Sequence, residues 1–450
     1  MQFITLLDYL LLPIYLVVIY NIARNFRDRY YPVGHPWRKF FIPALTVKIL
    51  GAVLIGFVYQ YYYGWGDTAL YFNQSKILDE AVMENPFKGF NLMLHIPEYW
   101  EGEYQLYISR MEWYQSPTTY MVVALSAFIN LFTFSTFLPT SIVFASISFT
   151  GIWALFRTFA IQYPQYLRPV AIAALFIPSC FMWGSGIFKD TVCMFGLGWL
   201  TYGVFQMLVQ RNFSLTNMAL SIISFFVLFF VKVYILLAFV PALALWVVFT
   251  YSHKVRSYIV RLFIKIVLAG ITLAGFVVLS NTFAKELGSY SLENITKTAE
   301  ITRSYVLETG ASNEGSVYDL GKIDPSLSGL ISVFPKAIVI ALYGPFVWDA
   351  KKAIVMINAL EASLFLFATI RIIIRIGFRR IWKTIVSDPN IQFFLMFTII
   401  FGFAVGLTSG TYGSLSRYRI PCLPMFGLSL VLIYYQARKD DRLLFPLLRF

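Results

Sequence analysis

The sequence predicts an all-α polytopic integral membrane protein with about 11 transmembrane helices and additional interfacial helices. Three observations lead there. Only 13% of the 450 residues are charged, 58% are hydrophobic and the mean hydropathy is +0.68, whereas a typical soluble chain is about 25% charged. Apolar runs of about 20 residues, the length that crosses a hydrocarbon core of ~30 Å, recur from end to end. Stretches such as Met218 to Val231 and Ile259 to Leu279 are almost continuously apolar, where a barrel strand would alternate over about ten residues with a polar lumen face.

The first run, Leu6 to Ile22, carries Asp8, lacks a small-residue cleavage site and is followed by Arg24, Arg27 and Arg29. It therefore reads as a retained helix rather than a signal peptide. Phe40 to Tyr63 comes next and leads into a long polar loop. Leu138 to Phe156, Pro169 to Trp183, Thr191 to Val209, Met218 to Val231 and Tyr234 to Thr250 follow. Ile259 to Ser280, Ala353 to Ile374, Ile391 to Thr408 and Ile420 to Gln436 complete the set. Two further apolar stretches, Thr118 to Thr133 and Ile331 to Val347, break the parity of the count unless both lie in, or re-enter from, the outer interface.

Orientation follows from Lys and Arg, which cytoplasmic loops carry in excess. Segments 24–39, 157–168, 210–217, 251–265, 371–390 and 437–450 hold 21 of the 36 basic residues, with only Asp28, Asp388, Asp440 and Asp441 as acids. These are the inner segments, which makes the loops 64–117 and 281–330 extracytoplasmic. The net charge of +13 is then a positive-inside bias facing anionic lipid, and nucleic acid is not an expected partner. The first outer loop is rich in Tyr, Trp and acids, as in Tyr99-Trp100-Glu101-Gly102-Glu103-Tyr104, which suits short helices lying on the bilayer.

Several chemistries lose their support. Cys180, Cys193 and Cys422 are scattered in or beside apolar runs, so neither a disulfide framework nor a Cys-x-x-Cys metal site is expected. His35, His95 and His253 stand alone, and dinucleotide and Walker A glycine patterns are absent. There is no repeat, low-complexity tract or soluble domain; residues 1–450 read as a single integral-membrane unit.

What remains is a set of ionisable groups beside hydrocarbon, where each is a functional-site candidate by default. Asp67 follows the second span in Gly64-Trp65-Gly66-Asp67-Thr68-Ala69-Leu70-Tyr71. Lys189 and Asp190 occupy the short connection Trp183-Gly184-Ser185-Gly186-Ile187-Phe188-Lys189-Asp190. The plain alternatives are a capping carboxylate at Asp67 and, for the pair, a snorkelling lysine beside an N-cap. Arg417 and Arg419, in Ser416-Arg417-Tyr418-Arg419-Ile420-Pro421, stand on the outer side against the charge bias. A guanidinium there suits a lipid phosphate, because it binds phosphate bidentately and stays charged.

The order of these features resembles the GT-C membrane glycosyltransferases that use polyprenyl-phosphate sugars, such as the lipid A aminoarabinose transferase and the protein O-mannosyltransferases. Gly66-Asp67-Thr68-Ala69-Leu70-Tyr71 is similar to the acidic residue and short helix that open that family's first outer loop. Trp113-Tyr114-Gln115-Ser116-Pro117-Thr118-Thr119-Tyr120 is similar to its aromatic loop and Pro-led helix. Phe156-Arg157 looks like its basic cytoplasmic turn, Asp190 its second outer acid, and Arg417-Tyr418-Arg419 its late basic stretch. The likeness covers 40–210 in order and returns at 414–435, giving a core at 39–210 and a variable helical part at 211–450.

The resemblance implies an inverting transfer on the extracytoplasmic face of a bacterial inner membrane. The donor would be a polyprenyl-phosphate-linked sugar and the acceptor a glycan, lipid or protein. Asp67 would be the general base, and Asp190 would orient the acceptor or Lys189. Lys189, Arg417 and Arg419 would hold the donor phosphate, and Tyr71, Trp100, Trp113 and Gln115 would contact substrate. Gln115 departs from the family, which often carries Lys in that stretch, and this leaves the phosphate to the three cations. No motif demands a cofactor or a metal, and a divalent cation stays open. Competing readings are a Wzy- or EpsG-type polymerase or ligase using a diphosphate-linked glycan, a lipid-linked glycan transporter with Lys48, Lys232 and Glu361 as midplane groups, and a non-catalytic scaffold.

Overall fold

The computed structural model describes residues 2–252, 316–321 and 327–438, with scattered positions from 257 to 308 and Leu444. Among these residues the chain is an all-α polytopic membrane protein. Its strand-like pairing is one isolated antiparallel bridge, Val317 to Thr411.

The first half begins with α1 (Leu6–Tyr30) and α2 (Arg38–Phe57), which widens into a π-helical turn over Val58–Tyr63. The first outer loop is itself helical, with α3 (Asp67–Glu84), α4 (Pro86–Met93) and α5 (Gln105–Ile108), and it leads into α6 (Pro117–Thr133). Then come α7 (Phe137–Gln162), α8 (Leu167–Leu175), α9 (Pro178–Trp183), α10 (Lys189–Val204) and α11 (Leu215–Ser252). The remainder is α12 (Leu327–Tyr343), α13 (Ala353–Ile376), α14 (Phe378–Ser387), α15 (Pro389–Thr408), α16 (Tyr412–Tyr418) and α17 (Leu423–Ala437).

Ten of the expected 11 spans fall on described residues, and fewer than ten are found there. Among the described residues seven helices are long and apolar enough to cross a bilayer, or eight if α16 and α17, bent by 70° at their junction, count as one. Pro169 to Trp183 is not a span but two short helices, because Pro178 offers no amide hydrogen and disfavours helical geometry at Ile177. Met218 to Val231 and Tyr234 to Thr250 lie on either side of Lys232 in α11, where a non-helical φ of −149° and ψ of 79° separate two helices that run together over Leu215–Ser252. The Ile259 to Ser280 run and most of the 281–330 loop lie outside the described residues. The stretch 118–133 falls in α6 and 331–343 in α12, apolar helices of 17 residues each, and 344–347 follow the end of α12.

The chain divides into two compact units. One comprises Met1–Thr158, Cys180–Gly203 and Ser214–Lys232; the other comprises Phe159–Ser179, Val204–Phe213 and Val233–Phe450.

In the first unit, buried polar groups fix where helices begin. The Asp8 carboxylate accepts from the Thr5 amide at 2.8 Å and from the Leu138 amide at 2.7 Å, so one side chain serves the starts of α1 and α7. Helices α7 and α10 meet backbone to backbone: a Cβ added to Gly198 would lie 1.7 Å from the Gly151 carbonyl oxygen. Such small-residue contacts let helices associate where lipid supplies no hydrophobic drive. Helix α3 packs on α6 around a polar knot in which buried Asp79 accepts from Asn130 at 2.9 Å and from Ser135 at 2.7 Å.

In the second unit, Asp388 caps α15 by accepting from the Asn390 amide at 2.8 Å. It also receives the Tyr163 hydroxyl at 2.6 Å and the Gln436 amide at 2.7 Å. The Trp246 indole donates to Asn390 at 2.8 Å, which ties α11 and α17 to the same helix start.

Burial pushes the Asp79 carboxyl up to about 6, against the opposing pull of its Ser135 and Asn130 hydrogen bonds. A folded-state value above the unfolded one favours the protonated carboxyl. The stabilisation is therefore complete below about pH 4 and is lost as pH rises through about 6. Asp79→Asn should flatten the fall in melting temperature between pH 4 and pH 7.5, as read by thermal scans in detergent. Gly198→Val forces α7 and α10 apart and should cost about 3 kcal/mol or more. Gly402→Ala, whose added Cβ would have nothing nearer than 3.7 Å, should leave the same scan unchanged.

Candidate functional site

Asp67 is the first residue of α3, and the residue before it sets its position. Gly66 has φ 152° and ψ −174°, a conformation open in practice only to glycine. A Cβ there would lie 2.2 Å from the Tyr59 ring, so α3 starts directly against the end of the second span. The Tyr59 ring in turn packs on Phe188, with centroids 5.6 Å apart. Phe188 immediately precedes Lys189, the first residue of α10. From there the Lys189 ammonium donates to Thr119 Oγ1 at 2.7 Å and Thr118 Oγ1 at 3.2 Å, in the first turn of α6.

Three helix starts, those of α3, α6 and α10, are thereby joined through Tyr59, Phe188 and Lys189. Helix starts carry partial positive charge and outward-pointing amides, which favour an anion. Asp67 and Lys189 are both half-buried, so each keeps access to solvent.

The loop behind Lys189 is held by two buried lysines. Lys48, from the middle of α2, donates to the Gly184 carbonyl, which also accepts from Ser148 at 3.1 Å. Lys232 meets Asp190 at 2.5 Å, with the two side chains 7% and 0% exposed. Burying either charge alone is costly, and the pair survives because each supplies the other's counter-charge. Lys232 sits at the break in α11, so the helix is interrupted where its ammonium meets Asp190. Sequence reading takes Lys48 and Lys232 as midplane groups of a transporter; the structure gives each a partner on the Gly184–Asp190 segment.

The other predicted residues take varied positions. Tyr71 is buried in α3. The Trp113 amide donates to Gln74 of α3 at 3.3 Å, while its indole N–H is buried without a hydrogen-bond partner among the described residues. Gln115 is exposed, and Trp100 is 80% exposed with Tyr99 packed edge-on at 4.8 Å. Arg417 and Arg419 belong to the second unit. Arg417 is in α16 with its guanidinium over Tyr418. Arg419 is fully buried, donates to the carbonyls of Ala341, at 3.1 Å, and of Gly344 at the end of α12, and lies 3.8 Å from Glu361. A guanidinium at a helix C-terminus complements the partial negative charge there.

Sequence reading misses Tyr59 and the Thr118-Thr119 pair as site elements. The threonines stand in the quoted Pro-led motif, and nothing in their spacing signals a lysine 70 residues away. Among the described residues no group of three or more His, Cys, Asp or Glu could hold a metal ion, and the three cysteines are buried free thiols. Comparisons with protein-family models, with curated proteins and with solved structures find no match.

If the ion pair positions Lys189, removing one partner should cost more than removing both. Asp190→Asn and Lys232→Met are each expected to destabilise by about 3–5 kcal/mol, with the double variant recovering most of it. A double-mutant cycle of melting midpoints reads the coupling, and additive losses would show that the two charges do not depend on each other.

Proposed function

We propose that this chain is a membrane glycosyltransferase that moves a sugar from a polyprenyl-phosphate donor to a glycan, lipid or protein acceptor on the extracytoplasmic side of a bacterial inner membrane. The observation that carries the reading is the joining of Asp67 and Lys189, 122 positions apart in the chain, through Tyr59 and Phe188 at three converging helix starts. A carboxylate and an ammonium linked through one chain of contacts at a span end are the two groups that such a displacement needs.

In this reading Asp67 takes the proton from the acceptor hydroxyl as its oxygen attacks the anomeric carbon. The new glycosidic C–O bond forms while the bond from that carbon to the phosphate oxygen breaks, and the configuration inverts. The departing polyprenyl phosphate carries the growing negative charge. Lys189, with the positive ends of α6 and α10 beside it, stabilises that charge. Asp190 and Lys232 act as positioning residues that fix the start of α10.

Arg417 and Arg419 enter as phosphate ligands from the sequence pattern; of the two, Arg419 serves by holding the Arg417 segment against the end of α12. Trp113, whose indole N–H has no partner among the described residues, and Trp100, with its ring exposed, are the aromatic surfaces offered to a sugar. Tyr71, buried in α3, and Gln115, exposed, are the remaining substrate contacts that the sequence pattern offers.

The test is transfer by purified protein in nanodiscs from a panel of radiolabelled polyprenyl-monophosphate and polyprenyl-diphosphate sugars to cell-envelope acceptors. Monophosphate-dependent transfer is expected, with kcat about 100-fold lower or worse in Asp67→Asn and little change in donor KM. Lys189→Ala should lose kcat and donor affinity together. Gly66→Ala, which displaces the start of α3, should act as a partial Asp67 lesion. Chain growth from a diphosphate donor would favour the polymerase, and activity untouched by Asp67→Asn would remove Asp67 as the base.

A further inference from the structure

The second unit contains a cavity of about 580 Å³, within the range of small-molecule sites. Helices α8, α13 and α17 wall it. On α13 its lining residues Glu361, Leu364, Ala368 and Arg371 fall on one face and span about 15 Å at 1.5 Å per residue.

The two ends of the cavity differ in chemistry. At one end stand Arg371, near the close of α13, and Arg168, near the opening of α8. The Tyr166 ring packs at a tilt on Tyr435, with centroids 5.6 Å apart, and its hydroxyl donates to the Tyr435 carbonyl at 3.2 Å, while Arg375 donates to the Tyr434 hydroxyl at 3.4 Å, so these three element ends come together. At the other end Glu361 is buried. It accepts from the Ser179 amide at 2.6 Å and lies 3.8 Å from Arg419. Between the ends the walls are apolar, with Ala173, Phe365 and Leu430 among them. Leu364 is 60% and Phe367 52% exposed on the flank, where hydrocarbon would meet the chain.

The basic end is equipped for an anion. The buried Nε of Arg371 has no hydrogen-bond partner among the described residues. Helix α14 follows at once and adds Arg379, Arg380 and Lys383, with Phe378 and Trp382 exposed. A basic amphipathic helix with aromatic residues on its apolar face lies in the headgroup layer and attracts anionic lipid. Residues 157–168 and 371–390 are both segments that the charge bias assigns to the inner leaflet.

We propose that this cavity holds one acyl chain of an anionic phospholipid from that leaflet, with the lipid phosphate on Arg371 and Arg168. The tail runs along the apolar wall toward Glu361. A phosphate entering from the opposite end would meet the Glu361 carboxylate, and this sets the site apart from any donor bound at Arg417 and Arg419. The inference does not depend on the glycosyltransferase reading.

The test uses full-length protein in a mild non-ionic detergent, titrated with phosphatidylglycerol or phosphatidylcholine at equal mole fraction and read by native mass spectrometry. Wild type should retain one phosphatidylglycerol at least tenfold better than phosphatidylcholine. Arg168→Gln with Arg371→Gln should bring that ratio below twofold. Ala368→Phe, which fills the trough, should remove the retained lipid of either class while the melting midpoint stays within a few degrees. As a check that needs no variant, phosphatidylglycerol carrying a diazirine in its acyl chain should label peptides from α8, α13 and α17. Equal retention of the two lipids by wild type, labelling elsewhere, or loss of labelling to inorganic phosphate alone would each overturn the proposal.

Discussion

Asp190 and Lys232 are each surrounded by apolar helix, and neither charge could remain there without the other. A lone buried ion costs several kcal/mol even after relaxation, yet these two meet at 2.5 Å with almost no exposure. The contact requires α11 to break at Lys232 and α10 to begin at Lys189. Once both conditions hold, Phe188 is fixed against Tyr59, Tyr59 against Gly66, and Asp67 becomes the first residue of α3. The half-buried groups at the helix starts thus inherit their places from a pair that solvent barely reaches.

A similar economy governs the second unit. Buried Arg419 gathers the carbonyls at the end of α12 and approaches Glu361, whose other oxygen receives the Ser179 amide. Asp388 gathers a tyrosine, a glutamine and the start of α15. Where an unmatched buried backbone group costs several kcal/mol, a single charged side chain with several partners can satisfy a helix terminus on its own.

The membrane class and the all-α fold were legible in composition and run length, because hydrocarbon thickness constrains both. The number of spans was not. Pro178 cuts one apolar run into two short helices, and hydropathy averages over that event, since what decides it is a backbone geometry. The break at Lys232 falls where the sequence parted two runs, but the partner that Lys232 meets there, 42 residues away, left no trace in hydropathy. For the candidate site, Asp67, Lys189 and Asp190 stood out as charges beside hydrocarbon. Their separation into a half-buried pair and a buried anchor did not, because Asp190 and Lys189 are neighbours in sequence and differ only in which way α10 turns them. Tyr59 was one aromatic among many at a span end. Its role depends on the missing side chain at Gly66, which becomes informative only when the ring beside it is known.

Helix α1 faces outward along most of its length, yet both of its ends are fastened. Asp8 reaches the Leu138 amide at one end, and the Trp153 indole donates to the Tyr31 hydroxyl at 2.8 Å at the other. The helix is therefore a clasp, secured at two points on α7 with a lipid-washed bar between them. Apart from Tyr9, Tyr15 and Tyr20, whose hydroxyls bond to Tyr61, the Phe132 carbonyl and Thr46, evolution can rewrite that bar so long as it stays apolar and keeps its length, since a change of one residue rotates the far fastening by about 100° away from its partner. Length, more than identity, is the conserved quantity to expect in this stretch.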